Sequence, residues 1–215
     1  MSIPATAPDA ILLMGPTGSG KTPLGDCLEA NGLAGRVCMH FDFGAELRTA
    51  AATEVFPGLT QRDISFIREC LRTGDLLEKD TFHIARAVLA AFLERRAFRE
   101  GYLLVLNGLP RHAAQAEDVD RLARIGLVVL LECDAPTVAE RIARNSGGDR
   151  SGRLDDSPDD VRRKLSLYAE RTRAVADHYR AKGVRVVTLP VTVSTTPRDA
   201  AAGLARLATE CMPCH

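Results

Sequence analysis

Several things are scarce in this chain, and each scarcity excludes something. Among 215 residues there is no apolar run near the roughly 18 that a membrane span needs, so no membrane partner is expected. No internal repeat and no low-complexity tract occurs. Neither sign of charge is in excess: 28 Lys and Arg oppose 28 Asp and Glu, so no net field draws the molecule to nucleic acid or anionic lipid. The opening MSIPATAPDA lacks a basic segment and a long apolar one, so no secretory signal is read and a cytoplasmic location is expected. His40, His83, His112 and His178 show no metal-ligand spacing and read as structural or exposed. Lysine is confined to Lys21, Lys79, Lys164 and Lys182, against 24 arginines, whose planar forks suit phosphate oxygens.

Cys27, Cys38, Cys70 and Cys133 lie among apolar neighbours and read as reduced, buried small hydrophobes. Cys211 and Cys214 belong to a terminal C-x-x-C-H string of the kind used for haem attachment. Attachment would require export, so residues 211–215 read as a frayed tail and no haem is expected.

What remains is the balance of a soluble globular protein, 46% apolar and 26% charged. Its length suits one domain, taken as residues 10–210 behind a flexible leader at 1–9. Short apolar runs predict buried strands at 10–14, 36–39, 102–106, 127–131 and 184–189. Continuous rather than alternating runs are expected where helices cover both faces of a parallel sheet. Helical periodicity marks 81–99, 198–210 and a long helix at 158–182, opened by Ser157-Pro158 and stopped by Lys182-Gly183. The expected fold is therefore α/β, a doubly wound parallel five-stranded sheet with helices on both faces.

Directly after the first strand comes Gly15-Pro16-Thr17-Gly18-Ser19-Gly20-Lys21-Thr22, a full G-x-x-x-x-G-K-[ST] phosphate loop. The glycines let successive N–H groups point at a phosphate, and the following helix adds its positive end. Lys21 is expected to bridge terminal phosphate oxygens and the Thr22 hydroxyl to ligate Mg²⁺. Pro23 falls in the first helical turn, where its missing N–H costs little.

Four further stretches follow: His40-Phe41-Asp42-Phe43-Gly44-Ala45-Glu46-Leu47-Arg48, Arg72-Thr73-Gly74-Asp75-Leu76-Leu77, Asn107-Gly108-Leu109-Pro110-Arg111 with Gln115, and Ser151-Gly152-Arg153-Leu154-Asp155-Asp156. In this order and spacing the chain resembles the adenylate kinase family of nucleoside monophosphate kinases, from about Ile11 to Lys182. The resemblance implies transfer of the γ-phosphoryl of Mg·ATP to a monophosphate, by positioning and charge stabilisation. It implies a small helical acceptor-binding insertion at about 40–80 and a short lid at about 145–157. By the family's pattern Arg48 and Arg111 clamp the acceptor phosphate, Arg153 and Lys164 reach from the lid side, and either Arg144 or Arg150 covers ATP. Phe43, Gly44, Asp75, Leu76, Leu77 and Gly108 line the acceptor, and Gln115 reads an adenine edge, which favours AMP. The lid carries no cysteine, so no zinc is expected. The protein is expected to act as a monomer.

The chain departs from that pattern in places. Asn107 stands where the family has an aspartate that orients Mg²⁺ through water, so Asn107→Asp is expected to raise turnover. Lys164 stands for a lid-side arginine, while Arg162 and Arg163 are expected to point elsewhere on the helix. Phe43 and Ala45 replace a small hydroxyl residue and an aspartate, Phe43 being expected to narrow the acceptor pocket and Asp42 to restore a polar contact. These departures keep open a catalytically weakened nucleotide-binding module and a kinase preferring another monophosphate. A P-loop kinase for a small hydroxy acid or sugar is disfavoured by Gln115 and the lid string.

Overall fold

Alternate side chains of the first strand go to opposite faces of the sheet. In the computed structural model, which describes residues 7–149 and 157–209, β1 (Asp9–Met14) sends Ile11 and Leu13 to one core and Ala10, Leu12 and Met14 to the other. Both faces are covered, so the run is apolar throughout.

The elements follow in the expected alternation. After β1 come α1 (Lys21–Asn31), β2 (Cys38–Asp42), α2 (Phe43–Ala51), α3 (Gln61–Thr73), a 3₁₀ turn at Lys79–Thr81, α4 (Phe82–Arg95) and β3 (Leu103–Asn107). Then come α5 (Ala113–Val119), β4 (Arg124–Glu132), α6 (Ala135–Ala143), α7 (Pro158–Leu167), a π-turn at Tyr168–Thr172, α8 (Arg173–Ala181), β5 (Arg185–Pro190) and α9 (Pro197–Thr209). The five strands are parallel in the order β2-β3-β1-β4-β5. One core lies under α1 and α9, through Leu24, Leu28 and Leu204. The larger one gathers Phe41, Phe43, Phe92, Val175 and Tyr179 on the other face.

Four expectations need correction. The second strand begins at Cys38 and runs to Asp42, because Arg36 is taken up in a tight turn with Leu33 and reaches Asp9, Gly101 and Tyr102. The helix expected over 81–99 stops at Arg95, and Ala97 takes a positive φ of 47°. The helix over 158–182 is interrupted by the π-turn, which re-phases its rear half. Cys38 and Cys70 are buried as expected, but Cys27 and Cys133 are only partly so. Burial pushes the Cys38 thiol up to about 11 and raises that of Cys70.

Among the described residues no helix is long and apolar enough to cross a membrane. Residues 1–6 of the expected leader, 150–156 of the expected lid, and residue 210 with the expected tail at 211–215 lie outside the described residues.

Candidate active site

Strand ends set the site. β1, β2 and β3 stop on one edge of the sheet, at Met14, Asp42 and Asn107, and the loops that follow line a single cleft. The C-terminal edge of a parallel sheet is where such folds bind ligands.

The phosphate loop curls over this edge. Gly15, at φ 150°, has no room for a side chain: a Cβ there would lie 2.7 Å from both the Leu131 carbonyl and the Ser19 hydroxyl. Gly20, at φ 94°, starts α1, and Gly18 packs against Ile142. The Ser19 hydroxyl is buried without a hydrogen-bond partner among the described residues. Lys21 Nζ donates to the Gly15 and Pro16 carbonyls, each at 2.7 Å, so the ammonium lies over its own loop.

Beside it sits a compact polar cluster. The Thr22 hydroxyl donates to Asp42 Oδ2 at 2.6 Å. Asn107 Nδ2 lies 3.0 Å from Thr22 Oγ1, 3.1 Å from Asp42 Oδ2 and 3.3 Å from His40 Nε2. Because a carboxylate only accepts, the amide nitrogen must be the end that faces Asp42. Asp42 also caps α2, accepting from the Ala45 N–H at 2.9 Å. Burial pushes its carboxyl up, yet the Thr22 and Ala45 hydrogen bonds, with the Arg48 charge, outweigh it and hold it below the usual range. His40 is buried and is bound at Nδ1 to Asp26, 2.8 Å away.

A magnesium ion bound with ATP takes most of its ligands from phosphates and water and asks the protein for few, hard oxygens. A Thr hydroxyl against one ionised carboxylate fits that demand. Asn107 fits the expected role poorly, since it turns its donor and not its oxygen to the site.

Arg48 and Arg111, expected to clamp an acceptor phosphate, both line the cleft. Arg111 sits at its base, where burial lowers its pKa, and its guanidinium makes no hydrogen bond among the described residues. Its backbone is held instead: Gln115 Oε1 accepts from the Arg111 N–H at 2.8 Å, and Thr172 Oγ1 donates to the Arg111 carbonyl at 2.8 Å. Gly108, at φ 82°, and a cis Leu109–Pro110 bond lead into this turn.

Gln115 is buried, and its Nε2 donates to the Leu77 carbonyl at 2.6 Å, which also takes His112 Nε2 at 3.0 Å. The Leu77 carbonyl is thus already occupied. Leu76 is buried as well, while Asp75 lines the cleft and accepts from the Thr73 hydroxyl at 2.7 Å. Phe43 and Gly44 both line the cleft, and the Phe43 ring is anchored from behind by stacking on Phe41 at 5.9 Å in the core.

The lid-side helix lies across the mouth. Lys164 lines the cleft, and so does Arg163, contrary to the expectation that it points away. Arg163 donates to the Thr73 carbonyl, and its terminal nitrogen would lie 2.6 Å from a Cβ on Gly74. Arg162 does point out, to exposed Asp159. Arg171 grips Glu78 through two hydrogen bonds of 2.7 and 3.1 Å.

Arg144 is not brought to the site: it is exposed and pairs with Glu140 at 2.5 Å. Arg150 and Arg153 lie outside the described residues. A residue that no motif marked lies beside the phosphate loop. Arg141 is buried and donates to the carbonyls of Gly18 (3.0 Å), Thr192 (2.7 Å) and Thr195 (3.0 Å), tying the phosphate loop to the segment after β5. Its place on the buried face of α6, beside Val138, was the available signal.

No family model matches the chain. It is 32% identical to the adenylate kinase of Stenotrophomonas maltophilia (strain R551-3) over 179 residues, spanning 80% of this chain and 86% of that one. To the adenylate kinase of Xanthomonas euvesicatoria pv. vesicatoria (strain 85-10) it is 31% identical over 182 residues, with the same shares. Among solved structures it is similar to a gluconokinase from Sinorhizobium meliloti 1021, with a TM-score of 0.51 and 24% identity over 94% of this chain and 95% of that one. That likeness bears on the fold alone.

Proposed function

Because the chain belongs to the adenylate kinase family, we propose that it transfers the γ-phosphoryl group of Mg·ATP to a nucleoside monophosphate, AMP being the best acceptor. Membership makes it a phosphotransferase with a nucleotide-binding phosphate loop. The single observation that carries the acceptor side is the Arg111 guanidinium, lowered in pKa by burial and without a hydrogen-bond partner among the described residues. An arginine cannot shed its charge, so a desolvated one, balanced only in part by the Asp42 charge and without a hydrogen bond of its own among the described residues, asks for an anion.

In this reading the nucleotides meet tail to tail. Lys21 leaves its loop carbonyls to take the terminal phosphates of ATP, and the Thr22 hydroxyl meets the magnesium ion, which neutralises charge that builds on the transferring group. Arg48 and Arg111 hold the acceptor phosphate in line, and Lys164 approaches from the helix above, with Arg153 as the lid residue. The helix across the mouth limits access of water, which would otherwise accept the phosphoryl group.

A second reading concerns the acceptor base. Gln115 is bonded at both polar ends, to Leu77 and Arg111, so one amide hydrogen and one oxygen lone pair are what it can still offer a base. That supports a kinase preferring another monophosphate. A coupled assay with ATP, Mg²⁺ and each of AMP, CMP, UMP, GMP and dTMP tests both. ADP is expected fastest with AMP; a faster pyrimidine or guanine acceptor selects the second reading, and no ADP with any of them removes both.

A further inference from the structure

The residue at the end of β3 and the residue at the end of β2 are partners in register: Asp42 pairs with Asn107 across the parallel ladder. Asn107 stands where the family carries its magnesium-orienting aspartate, and in this chain it is an amide, buried, with its nitrogen turned to the site. The carboxylate is one strand over. We propose that the acidic duty has crossed the sheet, so that Asp42 presents the negative charge to the magnesium ion of bound Mg·ATP, and Asn107 is a positioning residue for it. This inference rests on reading the cleft as a Mg·ATP site.

Three observations carry it. Asp42 accepts the Thr22 hydroxyl at 2.6 Å, and Thr22 is the phosphate-loop residue whose oxygen meets the metal. Of the three cleft carboxylates, Asp75 is bonded to Thr73 and Asp149 belongs to the loop after α6, whereas Asp42 lies at a strand end between the phosphate loop and Asn107. The two residues are also matched as a pair. Asn107 donates toward Asp42 from 3.1 Å, and an aspartate at 107 would set carboxylate against carboxylate at that separation. The amide is therefore what an acid at position 42 requires. His40, held by Asp26, receives the same amide nitrogen at 3.3 Å and fixes its orientation from behind.

The test is the magnesium dependence of ATP binding, measured by titration calorimetry with and without Mg²⁺ (chelator in the latter) on wild type, Asp42→Asn, Asp42→Ser and Asp42→Ser/Asn107→Asp. Asn and Ser both keep an N-cap for α2, so charge is removed while the cap remains. Thermal melts confirm folding, and Asp42→Ser serves if Asp42→Asn does not fold. Expected is a gain in ATP affinity with Mg²⁺ in wild type, cut about tenfold in Asp42→Asn with metal-free affinity kept, as for loss of a group that supports a metal's ligands. The double variant should regain part of what Asp42→Ser loses. Wild-type magnesium dependence in Asp42→Asn, none in the wild type, or no recovery in the double variant would overturn the proposal. If the wild type shows the gain and Asp42→Asn loses it, yet no acceptor is phosphorylated, the proposed function falls and this inference stands. Phosphoryl transfer with an unchanged Asp42→Asn gain gives the reverse.

Discussion

Gly25 of α1 and His40 of β2 are in contact so close that a Cβ on the glycine would lie 2.3 Å from the histidine Nε2. The helix that leaves the phosphate loop can approach the sheet only because residue 25 has no side chain, and the ring it approaches is one that touches Asn107. Gly25→Ala is expected to destabilise the protein by about 1–3 kcal/mol through overpacking, although alanine favours the helix itself. Urea denaturation reads the cost; a variant as stable as wild type would mean that the ring moves aside freely.

Arg111 should show the opposite pattern. Replacing it by Met removes a desolvated cation that makes no hydrogen bond among the described residues, so the melting temperature is expected to hold or rise. In the same variant kcat/KM should fall about 10²–10³-fold, as when a donor aimed at a transferring group is lost. A melt and a coupled assay on one preparation settle both halves.

Arg141→Leu is expected to cost stability and ATP affinity together. The change leaves the carbonyls of Gly18, Thr192 and Thr195 without their donor and loosens the phosphate loop. A loss of about 2–4 kcal/mol follows from unpaired buried acceptors, read by urea denaturation, with weaker ATP binding by calorimetry.

Asp9 gives a pH dependence whose sign can be worked out. Burial pushes its carboxyl up, but the hydrogen bonds and charges of Arg124 and Arg36 outweigh this and hold it below its ordinary value of 3.8. A depressed folded pKa adds stability above the unfolded value, and that stability is lost as pH falls through the folded one. Wild type should therefore exceed Asp9→Asn in stability at pH 7, by under about 1 kcal/mol for so exposed a pair. The difference should close below pH 3.8. Chemical denaturation at both ends of that range measures it.

Much of this architecture is legible in the residues, for physical reasons. Strand centres are legible because a doubly covered sheet demands unbroken apolar runs, and the phosphate loop because its glycines and Lys21 have few other uses. The polar ends of β2 and β3 are not, since Asp42 and Asn107 look like loop residues until both strands are seen to continue through them. Their meeting depends on β2 lying next to β3, and lateral strand order leaves no periodic mark. Arg163 was hidden differently: ideal helical spacing turns it from Lys164 by about 100°, yet its long side chain reaches back to Thr73. Arg141 reads as an ordinary helix arginine, because its partners are carbonyls from two distant loops.

The wide turn at Tyr168–Thr172 divides a single rod into two offices. Ahead of it nothing is fully buried, and Arg163 and Lys164 lean over the cleft; behind it Val175, Ala176 and Tyr179 are rooted in the core. One surplus residue in that turn sets the angle between tip and root. Excising it would restore an even pitch and swing the cationic tip by roughly 100° away from the substrates, while the root kept its seat.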